Sequence, residues 1–391
     1  MEVKGYNKGL VFAAACIGML LFGIVMISLG SILPEVTDKF KLNDAKTGLL
    51  LTLLPSGILA GSLVFGPLVD WLSYKRILIT GSLLTFVGLE GIVFSNAATL
   101  LHLSVFAIGM GGGILNGLTN ALVSEISETN HAANLSLLGV FFGVGALGTP
   151  VLLGLLKDVY PFEVVFGSIG VFVLLATVFF TVIAFPKSAQ AMGFPLKDGL
   201  AMLKDTTLLL FGLLLFFQSG IEGLTNNWTT TYLEKIKEVE SSQALFILSS
   251  FVAGITLARL MLGKFLRVFD PFKVTAIGLV GALLGCIIVL YGSTEISLIT
   301  GMSIIGFGIA AVFPVILGYI GQLYTKLAGT AFSIAITIAL LGNVLANYFM
   351  GQVSQHYGVK VLPYFMTAFI VAVLLLLFTV KNRYHLKTNK I

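Results

Sequence analysis

Residues 9–34 read GLVFAAACIGMLLFGIVMISLGSILP, twenty-six positions without a charge. Crossing the roughly 30 Å hydrocarbon layer of a bilayer takes about 20 mostly apolar residues, in a helix that satisfies its own backbone. This run meets that length. The apolar part of a cleaved export signal is shorter and ends at a small-residue cleavage site, which is missing here, so the run is read as a retained first span. Working outward, the same pattern recurs near 46–69, 77–98, 100–125, 133–156 and 161–185, then near 206–233, 242–263, 274–293, 296–322, 327–350 and 360–380. The chain is therefore expected to be an all-α membrane protein of twelve transmembrane helices.

Composition agrees. Apolar residues make up 57% of the 391, charged ones 10%, and the mean hydropathy is +1.02, whereas a soluble domain carries about a quarter charged residues. An even number of spans places both termini on one side, and the Lys/Arg distribution selects the side. With the termini inside, fifteen of the 23 basic residues fall in cytoplasmic segments and seven in outer loops. The expected location is the cell (inner) membrane, multi-pass, with both termini cytoplasmic. The net charge of +5 thus reflects orientation in a lipid bilayer and gives no support to nucleic-acid binding. Cys16 and Cys286 lie inside spans, which excludes a disulfide framework.

Sliding the chain on itself by 197 residues pairs Gly23 with Gly220, Gly57 with Gly254, Gly66 with Gly263, Gly81 with Gly278 and Gly88 with Gly285. Gly109, Gly111, Gly145 and Gly154 likewise meet Gly306, Gly308, Gly342 and Gly351. Chance pairing of the 25 glycines in residues 1–194 with the 19 in 198–391 would give about two. Two six-span halves of like topology follow, residues 1–185 and 206–391, the second ending in a short cytoplasmic tail. The polar stretch 186–205 reads as a cytoplasmic linker between them. A parallel repeat of this kind places a substrate site near mid-membrane where the halves meet.

Polar residues inside the spans nominate that site, because they are costly in hydrocarbon. Glu222 leads. Gln218 and Asn226 stand four residues to either side, on one helix face. Glu222 is the candidate solute ligand and proton carrier; the alternative is that it pairs with a buried partner and only orders the helices. Asn116 with Asn120, and Asn343 with Asn347, are two more pairs one turn apart, and amides that both donate and accept suit hydroxyl groups. The other reading of such asparagines is interhelical glue. Trp228 offers a flat face for the apolar side of a sugar ring. Glu90 in span 3 is read as structural. Four scattered histidines have no metal-ligand spacing, so no metal and no cofactor is expected. No phosphate-binding G-x-x-x-x-G-K-S/T loop and no nucleophile with an adjacent base occurs, which argues against ATP drive and against an enzyme.

Between spans 2 and 3 the chain reads GPLVDWLSYKRIL, which resembles the inner-loop signature of the major facilitator superfamily, Gly-x-x-x-Asp followed by bases. The resemblance implies the major facilitator fold, with the two halves as pseudo-repeats. It also implies a conformational gate in which Gly66 permits close helix approach while Asp70 anchors a charge network with Lys75 and Arg76 that holds the outward-open state. The second copy, GKFLRVFDPFK, keeps Gly263 but has Arg267 in place of the acid. Arg259 is expected to snorkel to the cytoplasmic face or to join the network of Asp70. Within the superfamily the chain is most similar to the fucose permease-like sugar:proton symporters. Those motifs are Glu222, Trp228 and Tyr232 in span 7, ARLMLGKFL around Arg259, the Phe313-Pro314 pair, and HAANLSLLGVFFGVGALGTP opening span 5. It departs from that group in spans 1 and 4, with Ser28 and Ser31, and Asn116 and Asn120, where the group carries acids.

The function expected from this reading is alternating-access import of a small neutral hydroxylated solute, with the proton as coupling ion, by a protein that is a monomer by the family's habit. The competing reading is a proton-coupled exporter of drugs or metabolites, suggested by Gly145, Gly148, Pro150 and Gly154 in span 5; span 4 lacks the buried arginine those exporters usually carry. A third reading is a transporter-like sensor or a lipid-handling protein.

Overall fold

A computed structural model describes residues 5–126, 131–186, 202–324 and 328–388; within these ranges the side chains of residues 65–71, 263, 264, 267 and 382–388, among others, are not described. All regular structure in the described residues is helical. Twelve helices among them are long and apolar enough to cross a membrane. Spans 1 to 6 are Lys8–Ser31, Asp44–Trp71, Tyr74–Val93, Ala98–Ile126, His131–Leu156 and Phe162–Val182. Spans 7 to 9 are Thr206–Lys237, Ser241–Val268 and Pro271–Tyr291. Span 10 is Glu295–Ile309 with Val312–Leu323, span 11 is Ala328–Tyr357 and span 12 is Leu362–Thr388. A short helix, Leu33–Phe40, follows span 1 and ends on Lys41 in the left-handed region.

Several helices start where a capping side chain meets free backbone amides. Asn7 accepts from the amides of Gly9 and Leu10 to open span 1, Asp205 from those of Thr207 and Leu208 to open span 7, and Asp270 from that of Lys273 to open span 9. Tyr324, just beyond span 10, hydrogen-bonds Asp205; burial first, then that bond and the charge behind it, push its phenol up. Span 7 runs four residues past its predicted end and span 8 five, because polar residues continue a helix out of the apolar layer. Span 10, predicted as one helix over 296–322, is interrupted near its middle. Its helix stops at Ile309 and resumes at Val312, since Pro314 has no amide to offer the carbonyl of Ala310 and its ring crowds that carbonyl.

In lipid there is no hydrophobic drive between helices, so association rests on close packing at small residues and on interhelical hydrogen bonds. The repeat is visible atom by atom at such crossings. A Cβ on Gly57 would lie 2.3 Å from the Phe106 carbonyl oxygen; on Gly254, 197 residues on, it would lie 2.4 Å from that of Ser303, again 197 residues beyond its counterpart. Gly88 and Gly285 repeat the match against Ile108 with Ser104 and against Ile305 with Gly301. Gly111 opposes Gly81 and Thr85 as Gly308 opposes Gly278 and Ala282.

The chain forms two compact units, residues 1–42 with 53–193, and 43–52 with 194–391. In the first, span 1 packs along spans 4 and 5, and span 3 along spans 4 and 6. In the second, span 7 packs along spans 11 and 12, and span 10 along spans 8 and 9. Residues 43–52, the opening turns of span 2, belong to the second unit, with Gly48 against Gly351. Two-thirds of the apolar window of span 7 is buried against one-third for spans 9 and 12, so span 7 is the central helix of its unit and spans 9 and 12 face outward. Most of the expected linker, residues 187–201, lies outside the described residues.

Candidate solute site on span 7

Span 7 carries the most concentrated polar surface. Along one face Gln218 donates from Nε2 to Glu222 Oε1 at 3.0 Å and to the carbonyl of Ile309 at 3.2 Å. That carbonyl is the last before the break in span 10, so the interruption that Pro314 imposes supplies a partner for Gln218. Discontinuous helices in transporters characteristically expose backbone groups at the site. Glu222 also has Arg259 Nη2 at 3.8 Å, an ion pair too long for a hydrogen bond, with the two side chains 18% and 38% exposed. Sequence spacing gives no sign of this pair, because the residues sit on different helices. On the same face Asn226 is buried, and neither its Oδ1 nor the Oε1 of Gln218 has a hydrogen-bond partner among the described residues.

A second polar group on span 7 faces span 11. Trp228 is fully buried and donates from Nε1 to Asn347 Oδ1 at 3.1 Å, and Asn227 Nδ2 donates to the same oxygen at 3.1 Å. Asn347 in turn donates to the carbonyl and Oδ1 of Asn343, both at 2.9 Å, and Asn343 donates to the carbonyl of Ser219 at 3.2 Å. Gly223 makes room: a Cβ there would lie 2.5 Å from Asn343 Oδ1. Asn343, Asn347 and Trp228 therefore come together as an interhelical network, and the indole presents no open face in this structure. Asn227 was missed by the sequence reading; its position one turn after Gly223 is the signal that would have placed it on this face.

In the first unit Asn120 Nδ2 donates to the carbonyl and Oδ1 of Asn116 at 2.9 and 3.0 Å, and both side chains are half-buried. Glu90 lies against span 6, its Oε1 so close to Gly170 that a Cβ there would stand 2.2 Å away; that oxygen is buried without a partner among the described residues. Of the expected gate, the surroundings of Gly66 and the side chain of Asp70 lie outside what is described, while Lys75 is half-buried and Arg76 exposed at the start of span 3. Arg259 faces Glu222. Among the described residues no group of acidic, histidine or cysteine side chains is arranged to hold a metal ion.

This architecture has counterparts. The family model described as Major Facilitator Superfamily matches residues 15–338 and again 213–390. The chain belongs to the Major Facilitator Superfamily. As a member it is a multi-pass membrane transporter and not an enzyme. It is 25% identical over 347 residues to the glucose/mannose transporter GlcP of Bacillus subtilis (strain 168), covering 84% of each chain. The fold is similar to that of the nucleoside transporter NupG, with a TM-score of 0.76 at 16% identity over 96% of this chain and 98% of that one. It is also similar to FucP in the outward conformation, with a TM-score of 0.64 at 20% identity over 94% and 98%. At these identities the structural likenesses establish the Major Facilitator Superfamily fold.

Proposed function

We propose that this transporter carries a small neutral hydroxylated solute, a sugar or sugar-like molecule, into the cell by alternating access with proton coupling. The observation that carries the reading is the face of Gln218, Glu222 and Asn226, where two buried amide oxygens have no donor among the described residues. An unmet buried acceptor costs about 1–3 kcal/mol, and solute hydroxyls supply donors without bringing charge. The nearest cation, Arg259, is already opposite Glu222, which disfavours a phosphate or carboxylate. A sugar transporter among the curated relatives, GlcP, supports the solute class.

Glu222 serves as proton carrier in this reading. Protonation removes the charge that Arg259 faces and frees the guanidinium, so one proton alters both a solute ligand and a contact between spans 7 and 8. Asn116 and Asn120 are further solute ligands in the first half. Trp228, Asn343 and Asn347 act on the site by fixing span 7 against span 11. Gly66, Asp70, Lys75 and Arg76 form the conformational gate, with Arg259 as its member on span 8. The chain divides into residues 1–185, a linker at 186–205 and residues 206–391; it lies in the inner membrane as a monomer with both termini cytoplasmic.

The test is a thermal-stabilisation screen of the purified protein against neutral hexoses, pentoses and nucleosides, followed by radiolabelled uptake of any hit into proteoliposomes. Uptake that an inward proton gradient stimulates is the expected outcome. Uptake indifferent to the gradient would remove the proton from the mechanism, and proton-driven extrusion of hydrophobic dyes without sugar uptake would overturn import.

A further inference from the structure

Spans 8 and 9 both lie along span 10 but scarcely touch each other. Between them runs a groove of about 960 Å³, floored by span 10 at Ser303 and Phe307 and walled by apolar side chains such as Leu257, Phe265 and Ile277. Its lining extends from Ala253 to Val268 on span 8, about 22 Å at the helical rise. That exceeds half of the roughly 30 Å hydrocarbon layer. A crevice of this length, with Leu257, Phe265 and Ile277 exposed along it, matches one acyl chain of a single leaflet.

One glycine in the groove has no packing reason to be there. Gly278 and Gly285 on span 9 are required by close approach, since a Cβ on either would lie 2.4 Å from Gly308 O or 2.7 Å from Ile305 Cγ1. Gly281, between them and lining the groove, has nothing within 4 Å of the place its Cβ would take. A glycine inside a helix costs about 1 kcal/mol relative to alanine. Here it keeps clear a space that no protein atom fills.

The mouth carries an exposed base. Lys273 lines it and is exposed. Asp270, which also lines it, is engaged in capping, its Oδ1 accepting from the Lys273 amide at 2.9 Å. The segment 264–273 has three bases, Lys264, Arg267 and Lys273, against this single acid. Clusters of bases at a membrane surface attract anionic lipid head groups.

We propose that the groove between spans 8 and 9 is a binding site for one anionic phospholipid, its acyl chain lying over Gly281 and its head group on Lys273. The lipid comes from the leaflet facing the 268–273 loop, which is the cytoplasmic one under the orientation given above. It bears on transport because Leu257 and Ala258, in the groove wall, adjoin Arg259, whose guanidinium faces Glu222. The inference rests on the membrane fold and not on the identity of the solute.

The test uses the full-length protein in phosphatidylcholine nanodiscs doped with a trace of phosphatidylglycerol or phosphatidylcholine carrying a photoactivatable acyl chain, with labelled peptides mapped. The phosphatidylglycerol probe is expected to label residues 253–281 several-fold more than the phosphatidylcholine probe. Gly281→Trp should lower labelling of this segment at least fivefold with both probes, and Gly281→Leu, a milder filling, should lower it in the same direction if the tryptophan variant is not monodisperse. Lys273→Gln should bring the phosphatidylglycerol signal down to the phosphatidylcholine level. Equal labelling by the two probes in the unaltered protein, labelling indifferent to both Gly281 variants, or cross-linking of this face to a second copy of the chain in place of lipid would each overturn the proposal.

Discussion

The two halves of this protein share their packing and differ in their chemistry. Gly57 and Gly254, or Gly88 and Gly285, meet counterpart atoms at the same 197-residue offset. The polar face of span 7 has no such echo: the positions equivalent to Gln218, Glu222 and Asn226 are Leu21, Val25 and Leu29, and those equivalent to Asn343 and Asn347 are Ala146 and Pro150. Conversely Asn116 and Asn120 correspond to Phe313 and Leu317. Close helix crossings tolerate almost no added volume, so both copies keep their glycines. A polar side chain away from such a crossing carries no such constraint, and under the proposed function a solute with distinct ends calls for an asymmetric set of partners.

The most severe expected effect is on the shared part. Gly57→Val and Gly254→Val each drive side-chain atoms into a backbone carbonyl, and each should cost about 3 kcal/mol or more, seen as a large fall in melting temperature in detergent. Tolerance at one position only would break the equivalence of the halves. Next in size, Glu222→Gln should lower gradient-driven accumulation at least tenfold in proteoliposomes while solute exchange continues, whereas Val25→Thr at the matching place in the first half should accumulate normally. Unchanged accumulation in the glutamine variant would take Glu222 out of the coupling and leave it a helix-ordering partner of Arg259.

Trp228→Phe removes the indole donor from Asn347 and should cost about 1 kcal/mol, near the worth of one interhelical hydrogen bond, with solute KM within about twofold of the parent. A KM rise well beyond that with stability intact would restore the indole as a stacking surface and contradict its assignment to the span 7 to span 11 network. Smallest of all, Asn116→Ala should raise solute KM by a few-fold, the loss of about one hydrogen bond, and leave the melting temperature almost unchanged. Destabilisation without a KM change would make Asn116 and Asn120 structural, and the solute contacts would then be confined to the second half.

The sequence by itself determined the class of fold. Span number, approximate span limits and the 197-residue repeat all follow from the local needs of a backbone in hydrocarbon and from glycine spacing, both of which are written in linear order. The i, i+4 relation of Gln218, Glu222 and Asn226 was legible for the same reason, as was the pairing of Asn343 with Asn347. Only the tertiary structure decided what meets across helices. It set Arg259 opposite Glu222, gave Gln218 the carbonyl exposed by the Pro314 break, and turned Trp228 and Asn347 toward each other as a buried joint. It also opened the groove over Gly281. These outcomes depend on helix rotation and separation, which are fixed by side-chain packing between segments far apart in the chain, and no periodicity within one segment encodes them.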